Sequence, residues 1–491
     1  MNDFFGNRKF FCLIFVCLIF AFSIAQDFRT SALGYTDLVL NHAENSLNLY
    51  RKTGNPAQML QNEPINWLKI YGTGSYYHGD FKRQYDPQAV QNILFHAEGF
   101  KQLGAKQGFW GQVNYTFLRH YNLPFAVEPH PYHDDPLVMT DSTIGSYNYD
   151  GPQIQVAYQY RLSERLSLGA ELFYEISQGL KREFTRPRIL QRDFAAKIAA
   201  NFYAGKAVSI GGQYGYLTCN DLIEFETSRI DGMSPQVNRF RSESVYRQVT
   251  GNFDRYVEIG SHYLNFAAQH HWEAANLQQL IQLNYRNYGQ ETFDETARKI
   301  YDSDWFADFY HLEYEIRKAT PENKMDWGVR LGRKYKSSWS QHPELPILIT
   351  EREIQSFYVE LGVSHRFRFK KPVLLALQGG FTRLEDDYND YQSNIFRDLT
   401  EKLWHLHSGV ELQLTPIHRL QIGYIYRNSE TDVFSPRYLP DYYQQRISLG
   451  LTQVRASHDI TILWEYDLKT SRSAGGNYGG WQLTIYSRIL P

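Results

Sequence analysis

Residues Gln153 to Ser177 read Q-I-Q-V-A-Y-Q-Y-R-L-S-E-R-L-S-L-G-A-E-L-F-Y-E-I-S. In the first half Ile154, Val156, Tyr158, Tyr160 and Leu162 share one parity; Gln153, Gln155, Ala157, Gln159 and Arg161 take the other. In the second half Leu166, Leu168, Ala170, Leu172, Tyr174 and Ile176 alternate with Ser167, Gly169, Glu171, Phe173, Glu175 and Ser177. Successive side chains of a strand point to opposite faces, so this is a hairpin with one apolar and one wet face, turned at Ser163-Glu164-Arg165. Each half has the roughly 9–11 residues that a tilted strand needs to cross a bilayer. What the apolar face meets decides the fold.

Working outward, the same split recurs. In 352–369, Phe357, Val359, Leu361, Val363 and Phe367 oppose Ser356, Tyr358, Glu360, Gly362, Ser364 and Arg366. In 401–414, Leu406, Val410, Leu412 and Leu414 oppose His405, His407, Gly409, Glu411 and Gln413. A charge at mid-bilayer on a lipid-facing wall costs roughly 2–4 kcal/mol, which places the ionisable parity on the inside of a barrel.

The spacing predicts about eighteen strands, with sixteen as the alternative count, from 66–79 to 479–490. Tight turns such as Gly104-Ala105-Lys106, Ala204-Gly205-Lys206 and Thr415-Pro416-Ile417 alternate with long connections at 121–149, 219–256, 289–304, 337–351, 386–400 and 430–441. Outer-membrane barrels have that asymmetry, with short turns on the periplasmic side. A soluble sandwich or propeller uses strands of about 5–6 residues, half the length seen here, and no fixed-period repeat supports a propeller. The expected fold class is therefore all-β, a transmembrane antiparallel β-barrel over residues 65–491.

Composition agrees. The chain has 37 Tyr, 31 Phe and 9 Trp, 16% aromatic in all, yet its mean hydropathy is −0.50. A wet interior with aromatic girdles at both membrane surfaces combines these properties. The 51 basic and 53 acidic residues nearly cancel, which gives no charge-driven reason to expect nucleic acid.

Residues 1–25 read as a signal peptide: Arg8 and Lys9, an apolar run from Phe10 to Phe22, then Ser23-Ile24-Ala25 before Gln26. The expected destination is the outer membrane of a Gram-negative cell. Only Cys219 of the three cysteines lies beyond the leader, so no internal disulfide is expected. Residues 26–64 read as an N-terminal plug or periplasmic segment. Tyr35 to Leu49 is helix-like, with Thr36 as a cap and Gly54-Asn55-Pro56 as a stop. The chain ends Ser487-Arg488-Ile489-Leu490-Pro491, without the terminal aromatic usual in such barrels; Tyr486 is the nearest.

These Tyr-rich strands, long loops and N-terminal segment together resemble outer-membrane β-barrel proteins of the Bacteroidota type, most of them uncharacterised. The stretch from Ser31-Ala32-Leu33-Gly34-Tyr35 through Asn55-Pro56-Ala57 is similar to the N-terminal hatch of long-chain fatty-acid transporters. That resemblance implies a segment inside the barrel, although that family has fewer strands.

The densest ligand cluster is the loop Glu128 to Pro136, where His130, His133, Asp134 and Asp135 could hold a divalent metal; a Pro-stiffened solvated loop is the plainer reading. Inward parity collects Arg161, Glu171, Glu175, Lys197, Glu313, Glu315, Arg330, Glu360, Arg366, His405, His407 and Glu411. His405 and His407, two apart, could share a ligand with Glu411. Mixed charges inside a barrel either tune a pore or fill it. The sequence has no Gly-x-Ser-x-Gly elbow, no His-Glu-x-x-His and no phosphate-binding glycine loop, so no enzyme and no cofactor is expected. The function expected is passage or uptake of a small solute, in contact with outer-membrane lipid. The alternatives are a non-conducting subunit of an uptake (metal or TonB-dependent) or secretion complex with a protein partner, and, less favoured, an outer-membrane enzyme.

Overall fold

A computed structural model of the chain describes residues 48–60, 66–126, 137, 139–205, 207–226, 232–240, 245–295, 299–318, 325–367, 369–431, 441–455, 458–472 and 476–489. Within them the strands are β1 (Trp67–Gly79), β2 (Ala89–Gln102), β3 (Gln107–Ala126), β4 (Met139–Arg161), β5 (Leu166–Lys181), β6 (Arg188–Ala204), β7 (Val208–Phe225), β8 (Gln236–Phe240), β9 (Val245–Thr250) and β10 (Phe253–Trp272). They continue as β11 (Leu277–Glu295), β12 (Lys299–Lys318), β13 (Met325–Gln341), β14 (Leu348–Phe367), β15 (Val373–Asp390), β16 (Ile395–Gln413), β17 (His418–Thr431), β18 (Tyr442–Val454), β19 (His458–Ser471) and β20 (Asn477–Ile489).

Each wall strand pairs antiparallel with its sequence neighbours, except that β7 pairs directly with β10. β20 returns to β1 over a continuous register from Leu68–Ile489 to Gly79–Tyr478. The sheet is thus a closed barrel, and with β8 and β9 set aside its wall has the eighteen strands expected. The described wall leaves no strand edge open to a foreign strand. The terminal Tyr486 pairs with Tyr71 in the closing seam.

The side-chain distribution is inverted relative to a water-soluble protein. Ile154, Leu172 and Ile198 are 44%, 50% and 65% exposed, whereas Gln159, Ser167 and Glu171 are 0%, 0% and 3% exposed. The apolar parity faces out, the polar parity in. Among the described residues no helix is long and apolar enough to cross a membrane.

The wall is taller at the long-loop end than the sequence suggests. β4 starts at Met139 and β3 runs to Ala126, so both consume much of the expected 121–149 connection. The hairpin β8–β9, inside the expected 219–256 connection, turns back and pairs with β4 at Met139–Arg239, Thr140–Asn238 and Asp141–Val237. It completes a small hydrophobic core on the inner side of the wall, with Leu123, Met139, Tyr147, Ile223, Phe225, Val237 and Phe253. Arg239 pairs with Asp294 of β11, and Arg255 with Asp302 of β12. The hairpin therefore bridges β4 to β11 across the inside of the long-loop mouth.

Placing a cation on the outward face tests what that face meets. Ile198→Arg, at mid-strand in β6, should destabilise the vesicle-refolded protein by about 2–4 kcal/mol in urea unfolding. A change near zero would mean that the face is bathed in water.

Candidate functional site in the barrel lumen

The site is a short internal segment held between opposite walls. Helix α1 (Asn48–Thr53) ends where Gly54 turns with φ +67, its N–H donating to the Tyr50 carbonyl at 2.6 Å. The expected Gly54-Asn55-Pro56 stop is in place, since glycine takes this left-handed backbone without a Cβ clash. Asn55 caps the 3-10 turn Pro56–Gln58 by accepting the Ala57 N–H at 2.9 Å. Thr36, the signal peptide and the loop carrying His130, His133, Asp134 and Asp135 lie outside the described residues.

Two consecutive side chains fix where α1 lies. Arg51 donates to Glu98 of β2 at 2.8 Å, and Lys52 bonds to Glu315 of β12. Those strands stand eight apart one way round the eighteen-strand ring and ten the other. One turn of helix can touch both only across the interior. Tyr50 donates to Glu171 of β5 at 2.9 Å.

Inward glutamines and asparagines grip the backbone that follows. Gln159 of β4 accepts the Leu60 N–H and donates to the Ala57 carbonyl, each at 2.6 Å. Gln213 of β7 donates to the Thr53 carbonyl at 3.0 Å, and Gln58 donates to Asn201 of β6 at 2.8 Å. Arg161 reaches the Leu60 carbonyl at 2.8 Å. Buried backbone groups outside regular structure need such partners.

Glycines provide the space. A Cβ on Gly169 would run into the Pro56–Ala57 backbone, and one on Gly211 would sit 2.7 Å from Asn55 Nδ2. Below, Tyr50, Met59 and Leu60 pack with Trp67, Phe100, Trp110 and Ala157. The Tyr50 and Trp110 rings meet edge-on at 5.4 Å. Burial pushes the Lys52 amine down to about 8, with Glu315 pulling it partway back. The apolar seat, the amide bonds and the Arg51 and Lys52 ion pairs hold the segment together.

The remaining inward residues form separate clusters. Glu171 also accepts from Lys197 and Gln155, both at 2.7 Å, and Glu175 accepts from Gln153 at 3.1 Å. Arg330 is a hub: it donates to Glu315 at 3.1 Å and Glu360 at 3.0 Å, and lies 3.8 Å from Glu313. Tyr358 bonds Glu313 and lies 2.9 Å from His311 Nε2. His405 is 3.8 Å from Glu360, and its ring lies tilted against that of His407, with centroids 5.0 Å apart. Glu411 is instead engaged by Gln421 at 2.8 Å. Arg366 lies on the same inward parity as Glu360 and Ser364, near the short-turn end of β14.

A shared ligand on His405, His407 and Glu411 does not form in this geometry. Among the described residues the one His/Cys/Asp/Glu trio whose donor atoms lie within 4.8 Å of one another is Asp193, Cys219 and Asp221. Sequence reading missed the seat itself: Gln159, Asn201, Gln213, Gly169 and Gly211. The signal available was glycine inside a strand, which marks close approach of another backbone.

Residues 56–251 match the model of a family of unknown function, DUF6850. No curated protein matches the chain in sequence. Among solved structures the chain is similar to the ferric preacinetobactin receptor BauA of Acinetobacter baumannii, at 9% identity over 87% of this chain and 80% of that one, with a TM-score of 0.40. It is also similar to the outer-membrane transporter YddB of Escherichia coli (8% identity, 87% and 81% covered, TM-score 0.41). A third is the RagAB peptide importer in its closed-closed state (8% identity, 83% and 61% covered, TM-score 0.44).

Arg330→Met should leave Glu313, Glu315 and Glu360 without their common cation. The expected loss is about 3 kcal/mol of unfolding free energy. Adding Glu360→Gln to that variant should recover part of it, measured by urea titration of the refolded protein. Equal stability of wild type and the single variant would show that the hub contributes nothing.

Proposed function

We propose that this chain resides in a Gram-negative outer membrane and admits a small solute through its lumen when residues 48–60 move aside. The grip of α1 on walls eight strands apart carries this reading. A segment that merely finished the fold could lie along one wall; one that crosses the lumen narrows any path through it. Its contacts cluster near the short turns, on the periplasmic side in this orientation. Most of its bonds are neutral amide contacts, each worth about 1 kcal/mol net, so displacement is within reach of a modest driving force.

A second reading, a non-conducting subunit of an uptake or secretion complex, draws on a different observation. The hydrophobic core built by β8–β9 occupies part of the long-loop mouth.

Planar-bilayer recording of the full chain separates the two readings. Gly169→Leu places a side chain where the Pro56–Ala57 backbone lies and should dislodge the segment without removing any bond to it. The expected result is a larger single-channel conductance than wild type. Unchanged or absent steps, from protein whose heat-modifiable mobility shows it folded, would overturn the passage reading in favour of the subunit.

A further inference from the structure

The outer wall carries a hollow floored by two glycines. Gly99 of β2 and Gly111 of β3 stand directly opposite each other in the register. Both lie on the outward parity, with Ile93 and Val113. Leu68 of β1 faces Gly99, and Val156 of β4 faces Gly111. Two glycines at one level, walled by aliphatic residues on the next strands, make a trench along the barrel axis. It is open along its outer side and offers about 640 Å³, within the roughly 300–1,000 Å³ of small-molecule sites.

Nothing in the chain's own packing holds position 111 to glycine. A Cβ there would meet its nearest atom, on the Phe109 ring, at 3.6 Å, an ordinary approach. The space over Gly111 is therefore left open rather than forced, whereas a Cβ on Gly99 would crowd the Trp67 carbonyl at 3.2 Å. At its lower end, one residue before β2 ends at Gln102, the exposed Lys101 projects on the same outward parity, paired with Phe109. The trench is apolar along its length and carries an ammonium at the rim, where a strand passes from hydrocarbon to headgroups.

We propose that this trench holds one acyl chain of an anionic glycerophospholipid, with the lipid phosphate at Lys101. The inference rests on the membrane residence proposed above. The charge pattern fits an apolar tail with its anionic head at the Lys101 end. The width fits too: the floor spans two strands, about 5 Å apart, which suits a single polymethylene chain better than a helix about 10 Å across.

Native mass spectrometry of the full chain, purified from membranes and titrated with dioleoyl phosphatidylglycerol, tests this. Wild type should retain one lipid through detergent exchange. Gly111→Leu fills the trench and should weaken retention by at least about tenfold, because the acyl methylenes can no longer bury against its floor. Lys101→Glu leaves the trench intact and should weaken phosphatidylglycerol by about fivefold or more, with phosphatidylethanolamine little changed. Equal retention by wild type and both variants overturns the proposal, as does a trench filled by the anchor of a copurifying lipoprotein. Should Gly111→Leu fail to fold, the Lys101→Glu comparison decides alone. Protein recovered outside the membrane fraction would instead count against membrane residence itself, a failure distinct from an empty trench in membrane-inserted protein.

Discussion

The seam between β20 and β1 is the constraint on which the other features depend. An open sheet with this outward face would expose a row of unpaired N–H and C=O groups beside apolar side chains. In hydrocarbon each such group costs several kcal/mol, and closure removes the penalty for every strand at once. The seam runs for twelve paired positions, as regular as the rest of the wall. Once the ring is closed, side-chain parity has only one arrangement that fits a bilayer: Ile198 and Leu172 outward, Glu171 and Gln159 inward.

That arrangement moves the problem of polarity to the interior. A water-soluble protein buries Leu and Ile and satisfies a few polar groups; here the inner face is a lattice of carboxylates, guanidinium groups and amides that must satisfy one another. Arg330 does so for three glutamates on β12 and β14. Arg446 and Gln444 do so for Asp467 on β19. Residues 48–60 enter this lattice as a guest. They take bonds from Gln159, Gln213 and Asn201, which would otherwise need water or each other. The polar lumen is thus a supply of partners for an irregular backbone, and the two glycines at 169 and 211 make the room for it.

The long-loop end solves a different problem. Toward that end the inner faces of the strands carry large apolar side chains at Ile223, Phe225 and Phe253. A hairpin that folds inward covers them and is pinned to β11 by the buried Arg239–Asp294 pair, while Arg255–Asp302 ties β10 to β12 within the wall. Such pairs add little net stability relative to an apolar alternative, but breaking one leaves a stranded charge. Arg239–Asp294 fixes the position of the hairpin more than its strength.

The fold class and the alternation of short turns with long connections were legible in the sequence, and the strand count to within two, because a period of two is a local property that each strand displays on its own. The Gly54-Asn55-Pro56 stop was legible for the same reason. The seat of residues 48–60 was not. Ala57 meets Gln159 and Gln58 meets Asn201 across more than a hundred residues of chain, and no local pattern distinguishes a glutamine that grips a backbone from one that faces water. The inward hairpin β8–β9 was hidden likewise: its short strands follow no membrane period, and their partners on β4 and β11 lie far away in sequence. Alternation fixed which way each side chain points. Closure of the ring decided which of them meet, because the distance between two inward residues depends on strand order and register around the barrel rather than on separation along the chain.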